Sequence, residues 1–318
     1  MAVYTTLSDD EVALLLSQYD IGHALACEGI AEGVENTNYK LTTPTGAYIL
    51  TIFERRVSEA DLPFFVRVME RLAARDFPAP KPIATRDGAF LTRVKGKPAA
   101  IVTHLAGEWP RQIDIRHCAA VGETLARMHV ALDGFDATRP NALSVRGWET
   151  LLVPRTGEAN ALRPGLGDIV HRDMMAVRMA WRNDLPTGII HADLFPDNAL
   201  FEGGKLTGVI DFYFACTDAL AYDLAVCLNA WCFDGARYEI ERGRAMIAAY
   251  EKVRPLSKLE RQMLPTLARG AALRFFATRL TDWTATPAGA TVTPKDPLEY
   301  ADKLTFHRNA RSEADYGA

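Results

Sequence analysis

The stretch GIIHADLFPDNALFEGGKLTGVIDF occupies residues 188–212 and sets three polar side chains at fixed distances from short apolar strands. Asp193 follows the first strand, Asn198 comes five residues later, and Asp211 stands thirteen residues after Asn198. Because strand, loop and hairpin fold back together, we expect these three side chains to meet. An amide and a carboxylate offered jointly make an oxygen site suited to Mg²⁺, and a second carboxylate is left to receive a proton. Phosphoryl transfer to a hydroxyl needs this combination.

A second stretch, HRDMMAVR at residues 171–178, contains the tripeptide that protein kinases use in their catalytic loop. Apolar residues recur around it at helical spacing, and Arg178 stands where a metal ligand would be needed. We therefore predict that His171, Arg172 and Asp173 lie on a solvated helix face and take no part in chemistry.

The composition is typical of a folded, soluble protein. The chain has 318 residues, 48% of them hydrophobic, which is enough for a large core and about two domains. A net charge of −4 argues against a nucleic-acid partner. The five cysteines form no CxxC motif and are expected to be free thiols. An acidic N-terminal stretch and the lack of a long apolar segment predict a cytoplasmic protein without a membrane partner. The oligomeric state is not indicated.

Local patterns divide the chain into a strand-rich first third and a helix-rich remainder. Early strands are predicted over residues 23–30, 36–43 and 47–53. Helices are predicted over residues 9–19, 58–75, 114–131, 168–183, 219–233, 236–253 and 256–283. We therefore predict an α+β, two-lobed protein-kinase-like fold. Residues 1–105 would form a small β-rich N-lobe with one main helix, and residues 106–318 a larger helical C-lobe.

These motifs resemble those of the protein-kinase-like superfamily. The polar positions of H-R-D-x-x-x-x-N and D-F-G match in identity and spacing, although Ala192 replaces Arg and Tyr213 replaces Gly. The stretches VENTNYKLTTPTGAYILTIFE, GKPAAIVTHLAGEW and IDFYFACTDALAYDLAVCLNAWCF resemble the aminoglycoside-phosphotransferase branch, and within it the homoserine kinases. The resemblance spans most of the chain. It implies ATP and Mg²⁺ as cofactors and L-homoserine as the acceptor.

The resemblance also implies roles for single residues. Asp193 would act as the base, while Asn198 and Asp211 would hold Mg²⁺. Asp223, in AYDLA, would brace the catalytic loop. Two further residues are expected to hold the loop in shape, namely His191 and Asp197. A loop at 29–36 would cover the phosphates and a hinge would bind adenine, so that the expected nucleotide-binding residues are Asn36, Thr103, His104 and Leu105.

The nucleotide side departs from the kinase pattern at two positions. Kinases carry a Lys on the third strand that pairs with a Glu on the next helix. Here Thr51 stands at the first position, and Phe64 or Phe65 near the second. If residues 45–46 form a two-residue turn, Lys40 lies directly across the hairpin from Thr51. We therefore predict that Lys40 supplies the missing charge to the phosphates.

The acceptor site needs a cation for the carboxylate of homoserine and an acceptor for its ammonium group. Arginine suits the carboxylate because it can bind bidentately. Candidate residues lie on a late helix and just after Asp211, and they are Arg274, Arg279, Asp282, Tyr213, Asp218 and Asn229. From this set we select Arg274, Tyr213 and Asp218 as the expected substrate contacts.

Three other functions stay open at the level of sequence. The same fold could phosphorylate another small hydroxylated molecule, such as an aminoglycoside, choline or a sugar. The departure at Thr51 leaves open a kinase-like binding module without activity. A metal-dependent hydrolase would use His191 and the aspartates, but the sequence offers no further ligands at metal spacing.

Overall fold

A computed structural model describes residues 4–30, 36–54, 57–286 and 294–318. Its backbone divides into two compact units. One is Met1–Gly107 with Thr207–Tyr213, and the other is Glu108–Leu206 with Phe214–Ala318. The first unit contains an antiparallel sheet, and the second is mostly helical. The predicted α+β class is therefore confirmed.

The segment Thr207–Tyr213 belongs with the first unit, whereas the sequence prediction places it in the C-lobe. Two hydrogen bonds explain the grouping. The amide of Val209 donates to the carbonyl of Pro78 at 2.8 Å, and the hydroxyl of Thr207 donates to the carbonyl of Ala106 at 2.7 Å. Asp211 and Tyr213 consequently belong to the first unit.

The sheet of the first unit consists of β1 (Ala26–Ile30), β2 (Thr37–Thr43), β3 (Gly46–Ile52), β4 (Thr92–Val94) and β5 (Lys97–Thr103). In the described part of the unit, these strands are ordered β1-β2-β3-β5-β4 and each pair is antiparallel. Burial alternates along β2, because successive side chains of a strand point to opposite faces. Tyr39 and Leu41 therefore face the core.

Two helices accompany the sheet. The first, α1 (Asp9–Leu16), begins at a capping box between Ser8 and Glu11, as predicted, and ends three residues before the predicted end. Its apolar side chains pack in the same core cluster as the buried face of β2 and β3. The second, α2 (Leu62–Ala73), follows a short 3-10 turn and buries Phe65 and Leu72 completely.

The register of the β2–β3 hairpin differs from the predicted one. Thr43 pairs with Gly46, so the two turn residues are Pro44 and Thr45 rather than Thr45 and Gly46. The shift moves every cross-strand partner by two positions. Asn38 therefore stands opposite Thr51, and Lys40 stands opposite Ile49. The predicted pairing of Lys40 with Thr51 was wrong, although an even shift keeps both side chains on one face of the sheet.

The second unit contains most of the helices. They are α3 (Ile115–Ala131), α4 (Val145–Leu152), α5 (Thr156–Leu162), α6 (Leu166–Ala180), α7 (Leu220–Trp231), α8 (Ile240–Val253), α9 (Lys258–Ala285) and α10 (Leu298–Asn309). The later strands are β6 (Thr187–Ile190), β7 (Ala199–Glu202), β8 (Lys205–Val209), β9 (Cys216–Ala219), β10 (Phe233–Asp234) and β11 (Arg237–Tyr238). Six of these elements were not predicted from the sequence, namely α4, α5, α10, β9, β10 and β11. No helix among the described residues has the length and apolar character of a membrane span.

The HRD tripeptide at residues 171–173 lies on α6, so its helical assignment is confirmed. His171 and Arg172 are exposed. Asp173, however, is only 1% exposed, and its predicted place on a solvated face was wrong. Its carboxylate accepts hydrogen bonds from Arg269 on α9 and, at 2.7 Å, from Arg308 on α10. These guanidinium groups compensate the burial of the charge.

Helices α3 and α8 of the second unit meet at Gly122. A Cβ atom at this position of α3 would lie 2.1 Å from the carbonyl oxygen of Met246 on α8. That distance is far below any van der Waals contact, so the two backbones can approach only because residue 122 has no side chain. All five cysteines are free thiols, and four of them, all in this unit, are buried.

We predict that Gly122→Ala lowers the free energy of unfolding by about 2 kcal/mol or more, because α3 and α8 must separate. The matched control is Gly157→Ala on α5, where an added Cβ meets nothing within 4 Å. That change should be neutral or should stabilise the protein by up to about 1 kcal/mol through helix propensity. Urea unfolding of both variants provides the measurement, and similar effects at the two positions would contradict the close-packing argument.

Candidate active site

The loop that follows β6 carries the predicted catalytic residues. It begins at His191, which is fully buried, and continues through Ala192 to Asp193. Ala192 has φ 65°, in the left-handed region that side chains other than glycine rarely adopt. Such backbone strain persists only where surrounding contacts hold it in place, and it is common at functional sites.

Asp223 on α7 holds this loop from one side. Its two carboxylate oxygens accept hydrogen bonds from the amides of His191 at 2.7 Å and Ala192 at 2.8 Å. The Nε2 atom of His129 lies 3.1 Å from the same carboxylate. Burial opposes ionisation of Asp223, but the hydrogen bond and charge of His129 outweigh it and hold the pKa of the carboxyl below its usual range. The predicted bracing role of Asp223 is consistent with these contacts.

Arg274 on α9 holds the loop from the other side. Its guanidinium group donates a hydrogen bond to the carbonyl of Ala192 and lies 3.5 Å from the carboxylate of Asp193. The group is 2% exposed and stacks over the ring of Phe275 at 4.2 Å. We expected Arg274 to contact the acceptor, and the structure instead engages it with the loop that presents Asp193.

Asp193 and Asn198 are brought together by the loop itself. The amide nitrogen of the Asn198 side chain donates to the carbonyl of Asp193 at 2.8 Å, and the same carbonyl accepts from the backbone of Phe195 at 2.8 Å. Since the loop uses the nitrogen of this side-chain amide, a metal ion would be held through its oxygen. The orientation fits the predicted role of Asn198 as a magnesium ligand.

Asp211 comes two residues after the end of β8 and is exposed. Its φ of 62° places it in the left-handed region, as at Ala192. The next residue, Phe212, is 1% exposed and anchors the chain directly after the strained position. The structure thus unites Asp193 and Asn198 within one unit and presents the Asp211 carboxylate on the other.

His191 and Asp197 differ in their surroundings. The Nδ1 atom of His191 accepts a hydrogen bond from the amide of Asp193 at 3.2 Å, so this imidazole supports the loop internally. Asp197 is exposed and forms a long ion pair of 3.4 Å with Lys295. An exposed pair of this kind contributes little to stability.

The residues expected to bind the nucleotide lie in the first unit. The amide of Thr103 donates to Lys81, and the amide of His104 donates to Ala47. Adenine would therefore have to use other backbone groups of this segment. Burial and the charge of Lys40 lower the pKa of His104.

Asn36 is buried, and its side-chain oxygen accepts a hydrogen bond from the amide of Glu54 at 3.4 Å. This contact ties the start of β2 to the chain after β3. The predicted phosphate loop spans residues 29–36, of which 31–35 lie outside the residues that the structure describes. Leu105 is half-buried.

The other acceptor candidates occupy varied surroundings. The carboxylate of Asp218 accepts from Asn141 at 2.7 Å, and burial raises its pKa. Arg279 donates to Glu299 at 2.6 Å. Asn229 is fully buried and bonds to carbonyls of α7 and α9, which indicates a structural role. Asp282 is half-buried near the end of α9.

Sequence reasoning missed two side chains that support the loop. The indole of Trp231 donates to the carbonyl of Leu194 at 2.8 Å, and His129 contacts both Asp223 and the hydroxyl of Tyr250. Trp231 belongs to the stretch AYDLAVCLNAW that contains Asp223, so its place two helical turns further on was a usable signal. No such signal in the sequence pointed to His129 on α3, because its partner Asp223 is 94 residues away in the chain.

The phosphotransferase enzyme family model matches residues 26–256. A homoserine kinase of Rhodospirillum rubrum is 55% identical to the chain over 100% of its length and 99% of the relative. A homoserine kinase of Rhizobium rhizogenes is 52% identical with the same coverage. The chain belongs to the phosphotransferase enzyme family and, within it, to the homoserine kinases.

Solved structures agree with this family at the level of fold. The amicoumacin kinase hAmiN, solved in complex with AMP-PNP, Ca²⁺ and Ami, superposes with a TM-score of 0.69 over 95% of this chain and 92% of that one. The two sequences are 15% identical. The likeness confirms the kinase-like fold that the sequence predicted.

We predict that Arg274→Gln lowers kcat of ATP-dependent phosphotransfer by roughly 10²-fold, because Ala192 and Asp193 lose their fixed placement. Guanidinium ion added to Arg274→Ala should restore part of the lost activity. The measurement is steady-state kinetics together with thermal unfolding. Arg163→Gln, which removes an exposed ion pair with Asp302, is the control and should change neither value appreciably. An Arg274→Gln enzyme with unaltered kcat would refute the positioning role.

Proposed function

We propose that this chain transfers the γ-phosphoryl group of ATP to the hydroxyl of L-homoserine, forming O-phospho-L-homoserine for threonine biosynthesis. The choice of acceptor is carried by one observation, the identity of 52–55% to homoserine kinases over the full length of both chains. The catalytic loop supports the reaction class independently. Its strained backbone is held by Asp223 and Arg274, and it presents a partly exposed carboxylate, Asp193.

Asp193 would receive the proton of the acceptor hydroxyl while that oxygen attacks the γ-phosphorus. The bond from phosphorus to the bridging oxygen of ADP breaks in line, so ADP leaves and phosphohomoserine forms. A positioned base of this kind contributes typically 10²- to 10⁴-fold in rate. The guanidinium of Arg274 lies 3.5 Å from this carboxylate and helps to fix its position.

Asn198 and Asp211 are the residues that we propose as magnesium ligands. The side-chain oxygen of Asn198 is the atom left for a cation, and Asp211 offers a carboxylate on an exposed, left-handed turn. Both are hard oxygen donors. When bound, Mg²⁺ would neutralise charge on the phosphate oxygens.

On the nucleotide side, the hinge residues Thr103, His104 and Leu105 would line the adenine, with Asn36 supporting the start of β2. Lys40 remains our proposed source of positive charge on this face of the sheet, although it lies opposite Ile49 and not opposite Thr51. Its charge contributes to the lowered pKa of His104, a residue of the hinge.

On the acceptor side, Asp218 is our proposed partner for the ammonium group of homoserine. Burial raises the pKa of this carboxyl and so disfavours its charge. A bound ammonium group would reverse that penalty, because an opposite charge favours the ionised form. This arrangement would favour the binding of an amino-acid acceptor over that of a neutral alcohol.

We predict that acceptor-dependent ADP release is highest with L-homoserine, measured in a coupled assay against L-serine, choline and an aminoglycoside. A preference for homoserine of at least about 10²-fold in kcat/KM is expected where both charged groups of the acceptor are bound. Preference for choline or an aminoglycoside would overturn the proposed acceptor. ADP release that needs no acceptor would indicate a hydrolase, and no release with any acceptor would indicate a binding module without activity.

We predict that Asp193→Asn lowers kcat by about 10²-fold or more while the Kd for ATP stays within about twofold, because only the proton acceptor is lost. Asp197→Asn is the matched control from the same loop, since Asp197 forms an exposed ion pair with Lys295. Stopped assays and nucleotide titrations provide the two values. Full kcat in Asp193→Asn would remove this residue from the proposed mechanism.

A further inference from the structure

Two positions of the first unit lack the charges that kinases place there. Thr51 on β3 stands where a Lys is expected and is 3% exposed. Phe65 on α2 stands near the expected Glu and is fully buried. A kinase uses that ion pair to fix the relation between its nucleotide strand and its helix. In this chain, other contacts must therefore link β3 to α2.

Thr51 takes part in a hydrogen-bonded chain of neutral groups. Its hydroxyl donates to the side-chain oxygen of Asn38 at 2.8 Å, directly across the β2–β3 pair. The same Thr51 side chain is hydrogen-bonded to the hydroxyl of Tyr213. Thr51 is therefore the middle member of a hydrogen-bonded chain that links Tyr213, Thr51 and Asn38.

The ring of Tyr213 contacts the other replaced position. It lies edge-to-face against Phe65, with ring centroids 5.8 Å apart, and against Phe53 at 5.0 Å. Edge-to-face aromatic pairs are stabilising beyond the apolar area that they bury. Tyr213 thus joins β3 through its hydroxyl and α2 through its ring.

Tyr213 also lies two residues after Asp211, whose backbone is left-handed. Such a conformation is unfavourable for a residue other than glycine, so neighbouring contacts must hold it. Phe212, between them, is buried. The contacts of Tyr213 are therefore suited to fix the turn that presents Asp211.

We propose that Tyr213 is a positioning residue that replaces the structural function of the kinase ion pair. Through Thr51 and Asn38, and through Phe53 and Phe65, it locks the turn at Asp211 to the sheet and helix of the first unit. This inference rests on the proposed function, in which Asp211 is a magnesium ligand. Tyr213 is thereby assigned to the placement of Asp211 and not to direct contact with the acceptor.

The test is the Mg²⁺ concentration that gives half-maximal rate. Tyr213→Phe and Thr51→Val each remove one end of the same hydrogen bond, and each should raise this concentration roughly three- to tenfold. The KM for homoserine should stay unchanged. Because the two residues share one bond, the double variant should be no worse than the poorer single variant. Thr51→Ser keeps the hydroxyl and should restore the wild-type requirement.

Tyr48→Phe is the matched control. It removes a tyrosine hydroxyl from the same sheet, where that group bonds to Thr45 at 3.0 Å beside the β2–β3 turn. Its magnesium requirement should equal that of the wild type. Thermal unfolding of every variant separates loss of fold from loss of positioning, and Thr51→Val, which keeps the volume of the side chain, serves where Tyr213→Phe folds poorly.

The outcomes separate this inference from the proposed function. If Asp211→Asn abolishes magnesium-dependent turnover while Tyr213→Phe and Thr51→Val keep the wild-type magnesium requirement, the positioning role is refuted and the proposed function stands. If Tyr213→Phe and Thr51→Val lower the thermal stability but keep the wild-type magnesium requirement, the positioning role is likewise refuted. If Asp211→Asn itself keeps the wild-type requirement, the metal assignment fails and the inference falls with it.

Discussion

The strained peptide at Ala192 is the constraint on which the second unit depends. A left-handed alanine, directly before the candidate catalytic carboxylate, is retained because charged groups hold both sides of the peptide. Asp223 accepts the amides on one side, and Arg274 binds the carbonyl on the other. Both charges are buried, so each must be compensated by its hydrogen bonds to the loop, and these bonds in turn hold the loop in place. The result is a rigid platform from which Asp193 projects.

The placement of this loop depends on two helices, α7 and α9. Asp223 comes from α7 and Arg274 from α9, and both helices are core elements that cannot move without loss of buried apolar surface. His129 and Trp231 extend the support, one against Asp223 and the other against the loop backbone. Groups that position a reacting centre are most effective when their own rotamers are locked by packing. The loop that carries Asp193 is therefore held by the core of the second unit.

In the first unit, strand and helix are held together by neutral groups instead of charged ones. Where kinases use an ion pair between strand and helix, this chain joins Tyr213, Thr51 and Asn38 by hydrogen bonds and packs aromatic rings around them. Neutral hydrogen bonds avoid the cost of burying charge. The replacement of both charges is consistent, since either charge alone would be buried without a partner.

Local order in the chain determined much of this protein. The spacing of Asp193, Asn198 and Asp211 predicted the reaction class, because loop chemistry is a property of neighbouring residues. The resemblance of the flanking stretches to a known family predicted the family. The tertiary structure alone decided the rest. Asp173 is buried because Arg269 and Arg308 arrive from distant helices, and Arg274 braces the loop because α9 passes behind Ala192. The β2–β3 register followed from a turn one residue earlier than predicted. Long-range partners and exact register depend on packing between elements far apart in sequence, which no local pattern records.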